Sequence, residues 1–258
     1  SAPSTFQRAM KPVDIRQFRW NIQDHLDSLF TKGRLTKLVI TPKEVNLSKT
    51  SFDFQDIRAQ LDEAAFSTNP SYKHSSESPF ASLEAKQVQL DIPHAFYSPT
   101  KSQLHVRGVS IRQIAQLQIK QLATQMTITP KKWNVNSFVL QTEQSDLRFA
   151  GHISSNRLAI TNIPIKEWNV RLEAQPSQLD LDEMWQLYPS LSDYLPVRHG
   201  KFRFYSEVLG SVQNVTIKKG HFQAPEGILA DIKGQIKGLP DINQVQANLK
   251  FQRVDLQK

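Results

Sequence analysis

Along most of this chain every second residue is apolar and its neighbours are Gln, Lys, Arg, Asn or Asp, a period of two that a half-buried β-strand satisfies and a helix does not. Phe18, Trp20 and Ile22 open the pattern, and Val88, Leu90 and Ile92 repeat it. Leu147, Phe149, Gly151 and Ile153 follow, then Trp168, Val170, Leu172 and Ala174, then Phe202, Phe204 and Val208. Val215 and Ile217, Ile228, Ala230, Ile232 and Ile236, and Val245, Ala247, Leu249 and Phe251 complete it. Such strands have one wet face and one dry face, which is the habit of antiparallel sheets. The expected fold class is therefore all-β.

Turn signals separate these runs at intervals of about ten residues, as in a meander. Thr41-Pro42-Lys43, Thr129-Pro130-Lys131, Ser154-Ser155-Asn156, Lys219-Gly220 and Gly238-Leu239-Pro240-Asp241 are the clearest. That spacing predicts roughly 15 to 18 strands, which stack to a length on the order of 70 to 85 Å. Two short helices are expected as interruptions. One runs from Asp24 to Lys32, with Asp24 as cap and Gly33 as stop. The other spans residues 179–191, where Leu181, Met184, Trp185 and Tyr188 share a side, Asp180 caps and Pro189 marks the exit. This second helix reads as a plug packed on the apolar face. Residues 1–12 read as a flexible end, 13–258 as a single elongated unit, and the Ser-rich stretch 67–82 as a mobile loop.

Composition thins the interior. Of the 258 residues, 39% are hydrophobic and 22% charged, so a deep globular core is not expected. Glutamine occupies many polar strand positions and gives a solvated outer face without net charge. The 32 basic and 24 acidic residues leave +8, but the cations are spread singly or in pairs such as Lys131-Lys132 and Lys218-Lys219, not in the clustered stripe with stacking aromatics that nucleic acid needs. There is no cysteine, hence no disulfide or thiolate metal site, which fits an oxidising envelope compartment. No apolar run exceeds three residues, so no segment here should span a bilayer, and the opening Ser1-Ala2-Pro3 with the mid-pattern end at Lys258 reads as a piece of a longer protein.

Chemistry is not signalled. The seven histidines lie at 25, 74, 94, 105, 152, 199 and 221, with no two at i+2, i+3 or i+4, and no phosphate loop or nucleophile elbow occurs. Asp180, Asp182 and Glu183 are explained by the first turn of a helix. Asn46-Leu47-Ser48 and Asn214-Val215-Thr216 match a glycosylation sequon that chance produces readily. No catalytic residue, metal or cofactor is expected.

Four phrases of the second half, in order, resemble the TamB family within the AsmA-like superfamily. They are Val135-x-x-Phe138-x-Leu140-x-Thr142-x-x-Ser145-x-Leu147, then LDLDEMWQLYPSL at 179–191, GKFRFYSEVLGSVQNV at 200–215 and ADIKGQIKGLPDI at 230–242. The resemblance implies an elongated antiparallel β-groove, the β-taco, in the periplasm of a Gram-negative envelope, anchored in the inner membrane by segments outside this chain. It implies phospholipid acyl chains as cargo between inner and outer membrane, and an outer-membrane β-barrel protein as a further partner. The groove lining would be Phe138, Leu140, Leu147, Phe149, Val170, Leu172, Phe202, Phe204, Val215, Ile217, Ile232, Ile236, Leu249 and Phe251. Two other readings stand beside lipid transport: a scaffold that pairs strands with nascent outer-membrane proteins, and a secreted adhesin-like β domain, which would be a compact sandwich.

Overall fold

In the computed structural model, residues 11–24, 29–67, 82–114, 117–155, 164–187, 199–225, 227–239 and 244–256 are described. The fold is all-β. Thirteen strands follow one another in chain order in one open antiparallel sheet: β1 (Val13–Asp24), β2 (Leu29–Asn46), β3 (Ser51–Ser67), β4 (Ser82–Ser98), β5 (Lys101–Ile114), β6 (Leu117–Ile128), β7 (Lys132–Gln141), β8 (Asp146–Ser154), β9 (Asn169–Asp180), β10 (Lys201–Ser211), β11 (Asn214–Gln223), β12 (Ile228–Lys237) and β13 (Gln246–Leu256). The only α-helix among the described residues is α1 (Leu181–Leu187). Twelve spacings make the sheet about 58 Å long.

Hydroxyl-bearing residues set the tight turns. Lys101 N–H donates to Ser98 Oγ at 3.1 Å, and the Ser98 hydroxyl donates to the Lys101 carbonyl at 2.9 Å. Thr129 and Lys132 repeat this pair of bonds, and Ser145 N–H and Asn214 N–H donate likewise to Thr142 Oγ1 and Ser211 Oγ. In the first two, proline follows the hydroxyl residue and presets the turn's φ. Asn46 does the same for the β2–β3 turn, accepting from Lys49 N–H at 3.0 Å.

Several expected boundaries move. Leu29–Lys32 is strand rather than helix, because Asp24 pairs with Leu29 and the chain returns as a hairpin. Gly33 stops no helix; it lies under the Trp20 indole, whose N–H donates to Thr31 Oγ1 at 3.2 Å. Pro42 sits inside β2 at an irregularity beyond the described β1–β2 pairing, where a missing N–H costs no bond to β1. Lys219-Gly220 is a bulge within β11 rather than a turn. Trp168 and Val245 precede their strands, Trp168 closing a 3-10 turn at Ile165–Glu167. With the turns at 41–43 and 219–220 absorbed, the strand number falls to thirteen, and β2, β3 and β4 reach 18, 17 and 17 residues. Ser67 and Ser82 are strand ends, and so are Leu179 and Asp180 of the expected helix, which pair with Phe202 and Lys201, while 68–81 of the expected loop, 188–191 of the expected helix and 1–10 of the expected flexible end lie outside the described residues.

A single layer cannot close a core. Apart from a small contact of α1 with β9, every substantial contact between elements joins consecutive strands. Among the described residues only Leu35, Ala59, Val106, Leu117, Ala174 and Leu181 are buried apolar side chains. The accessible surface is 17436 Å², against about 11,500 Å² for a compact monomer of 29.5 kDa.

Candidate functional site

The registers bring most apolar positions of the thirteen strands to one face, with Phe96, Val139 and Leu209 among those left on the other. One row of directly paired residues runs Phe54, Ala95, Leu104, Met126, Val135, Gly151, Leu172, Val208, Ile217, Gly234, Leu249, from β3 to β13 without a break. A parallel row runs Val106, Thr124, Phe138, Phe149, Ala174, Ser206, Gly220, Ile232, Phe251. All fourteen sequence-predicted residues belong to this face. Leu140 pairs with Leu147, Val170 reaches Val215 and Ile236 through Gly210, Phe202 faces Leu179, and Phe204 lies between Ser177 and Phe222.

Side chains on this face touch their cross-strand neighbours and stay partly bare. The rings of Phe138 and Phe149 stack at 4.3 Å, and Phe202 and Phe204 gather around Phe222 at 5.7 and 6.4 Å. Each such pair adds about 0.5–1.5 kcal/mol beyond its buried area. Thirteen of the fourteen are half-buried, and Phe251 on the last strand is 54% exposed. Where the row meets glycine, the strands come close: a Cβ at Gly151 would overlap the Arg171 carbonyl oxygen and lie 3.0 Å from Leu172 Cα.

In the first half alternation marks Phe18–Ile22 and Val88–Ile92, but assigns no residue there to the lining. Phe18, Leu35, Leu61, Val88, Ile111 and Ile119 form a registered row, as do Leu38, Ala59, Leu90, Val109, Leu122, Leu140 and Leu147. The signal that finds them is an apolar–polar–polar–apolar step, as in Phe54 to Ile57 or Ala85 to Val88, which marks a change of phase with the apolar face kept. Asp56 and Gln87 sit in such steps with φ of 55° and 51°, and Gln17 does so in β1 with φ of 53°.

The opposite face is polar and internally paired. Asp53 accepts from Lys43 at 3.2 Å and faces His94 at 3.0 Å, Arg107 meets Asp91 at 3.3 Å, and His221 Nδ1 lies 2.7 Å from Asp231. Between β3 and β6 this face carries a shallow depression of about 520 Å³ lined by Arg58, Gln89, Asp91, Arg107, Gly108 and Lys120. The Asp146 carboxyl is held below its usual range by its hydrogen bond from Arg148, and the His152 imidazole is pushed down by burial first, then by Lys132 and Arg171. Exposed Gln60, Gln89, Gln121, Gln125 and Gln235 fill much of the rest.

α1 fastens one rim. Asp180 caps it, accepting from Glu183 N–H at 3.2 Å. Glu183 does more than face the helix dipole: its buried carboxylate accepts from the Ser145 hydroxyl at 2.6 Å, the Thr142 hydroxyl at 2.5 Å and Gln144 N–H at 3.2 Å, tying α1 to the β7–β8 turn. Among the described residues no cluster of His, Cys, Asp and Glu could hold a metal, and no helix is long and apolar enough to cross a membrane. A scan against protein-family models finds no match, and searches of curated proteins and of solved structures find no significant one.

Proposed function

We propose that this chain is a periplasmic segment of a TamB/AsmA-like envelope protein whose apolar sheet face shields phospholipid acyl chains in transit between inner and outer membrane. The observation that carries the reading is the uncovered apolar row from Phe54 to Leu249, continuous over eleven strands with no second layer upon it among the described residues. Apolar surface left in water costs about 25 cal/mol per Å², and a patch of this extent on a monomer calls for a cover. Acyl chains suit it because the face offers methyl, methylene and ring surface and few polar groups. The glutamine-rich reverse keeps the outside wet. The ordered phrases that resemble TamB add to the reading.

The test is capture. A photocrosslinker at Phe149 or Leu172 should trap phospholipid in cells, and the purified chain should carry extractable lipid. An empty protein with no crosslink at either position sinks the proposal.

A second reading, strand pairing with outer-membrane proteins, draws on the two edges: β1 and β13, of 12 and 11 residues, have no outer strand partner among the described residues. Charge reversal along β13, as in Lys250→Glu, would abolish partner binding in that case and leave lipid content intact. The adhesin-like reading calls for a sandwich, and nothing in the single sheet favours it.

A further inference from the structure

Alternate turns of a meander lie on one rim, and the rim opposite α1 carries an arrangement the apolar face does not use. From the β6–β7 turn to the end of β12 its segments are joined to one another. Ser155 N–H donates to the Lys131 carbonyl, Val212 N–H to the Trp168 carbonyl, Gln213 N–H to the Lys166 carbonyl and Gly238 N–H to the Gln213 carbonyl, at 2.8 to 3.2 Å. Trp133 and Trp168 meet edge to face at 5.6 Å and connect the first of these bonds to the rest. The result is a continuous ledge about 30 Å long.

Lys131, Lys132, Lys166 and Lys237 are exposed on that ledge, and none has an ion-pair partner among the described residues. Glu167 is the one acidic residue described among them. Ile165, beside Lys166, is 51% exposed, and Val245 is 39% exposed. The other rim near α1 is mixed in charge, exposing Glu143 and Asp182 beside His199 and Lys201.

We infer that this ledge docks on an anionic lipid bilayer surface. Lysines near such a surface attract its phosphates as hydrated point charges, while an isoleucine between them enters the headgroup layer and a tryptophan pair sits at interfacial depth. No arginine is described on the ledge, and its tryptophans pack on each other, so the bidentate and stacking contacts that nucleic acid prefers are not offered. The inference stands apart from lipid shielding and shares no residue with the crosslinking positions.

The experiment is co-sedimentation of the 258-residue chain with phosphatidylcholine vesicles, with and without phosphatidylglycerol. Binding is expected only with phosphatidylglycerol, and should weaken as salt shortens the screening length from about 10 Å at 0.1 M. The Lys131→Gln/Lys132→Gln/Lys166→Gln variant should lose roughly a hundredfold in partitioning. Ile165→Asn should lose severalfold by an amount salt does not change, and Lys201→Gln on the other rim should bind normally. Circular dichroism checks the fold of each variant, and the single Lys166→Gln variant reads the same effect if the triple variant does not fold. Equal binding to both vesicle types, no binding to either, or a folded triple variant that binds as before overturns the inference. So does loss of binding to a single-stranded homopolynucleotide by the triple variant with vesicle binding unchanged.

Discussion

β3 and β4 run 17 residues each and change phase twice, at Phe54–Ile57 and Leu61–Ala64 and at Ala85–Val88 and Ile92–Ala95, whereas β7 to β12 run 9 to 12 residues and change phase once or not at all. At one of its two steps each long strand keeps its apolar side chains on one face by placing a residue, Asp56 or Gln87, in left-handed backbone. The short strands manage it with polar pairs such as Asn136-Ser137 and Lys218-Lys219, and with glycines where neighbouring backbones close in. One continuous face therefore rests on backbone strain at one end and close backbone approach at the other. The two ends should fail differently.

The largest effect is expected at the narrow end. Gly151→Val puts a side chain where the Arg171 carbonyl stands, so β8 must leave β9 or shift against it. Urea unfolding should show a loss of about 3 kcal/mol, with faster amide exchange in β8 and β9 before β3 and β4. A loss below about 1 kcal/mol would mean that the strands part easily there and that the close approach is incidental.

Next is the rim of the same half. Glu183→Ala leaves the Thr142 and Ser145 hydroxyls and Gln144 N–H without their acceptor, and should cost about 2–3 kcal/mol. The loss should localise to α1 and the β7–β8 turn. Were exchange unchanged in that turn, the carboxylate would be a bystander.

The wide half gives the opposite sign. Asp56→Gly and Gln87→Gly relieve left-handed backbone worth about 1–2 kcal/mol, against glycine's chain entropy of about 0.5–1 kcal/mol and the exposed contacts from Arg58 at 3.4 Å and Arg112 at 3.0 Å, worth about 0.2–0.5 kcal/mol each, for a net gain of up to about 0.5 kcal/mol. Asp56→Ala and Gln87→Ala lose the same contacts and keep the Cβ, so glycine variants no more stable than the alanine ones would show that the left-handed residues carry no strain and that the halves are built alike.

This asymmetry also explains what could be read in advance. Strict alternation is visible wherever a strand keeps one phase, so Phe202 and Phe204, Val215 and Ile217, and Ile232 and Ile236 were legible as one face. In the wide half a step of three residues resets the phase, and three is also a helical spacing; Phe54 and Leu104 consequently received no place in the lining. The helix expected at 24–32 failed for a related reason, because local apolar spacing said nothing of Trp20 lying over Gly33. That contact joins residues 20 and 33, far apart along the chain, and belongs to pairing. The Glu183 hub was hidden likewise: a carboxylate in a helix's first turn is sufficiently explained by the dipole until the β7–β8 turn is brought to it.

The smallest effect separates two ion pairs of identical local pattern. Arg16 with Asp14 on β1 and Arg148 with Asp146 on β8 are both i, i+2 pairs on the polar face, and both carboxyls are held below the ordinary 3.8 chiefly by the arginine's hydrogen bond. A depressed carboxyl stabilises the fold above its unfolded value, and that contribution disappears as pH falls from about 3.8 through the lower folded value. Asp146 also accepts from Gln141 at 3.2 Å and sits on an interior strand, whereas Asp14 stands on the edge, where water screens it. Arg148→Gln should therefore remove up to about 0.5 kcal/mol of stability at neutral pH and flatten the stability curve below pH 4, the difference vanishing in stronger acid. Arg16→Gln should leave the curve as it was. Equal curves for the two variants would mean that the interior of the sheet shields its polar face no better than the edge does, and that only the apolar side distinguishes the strands within it.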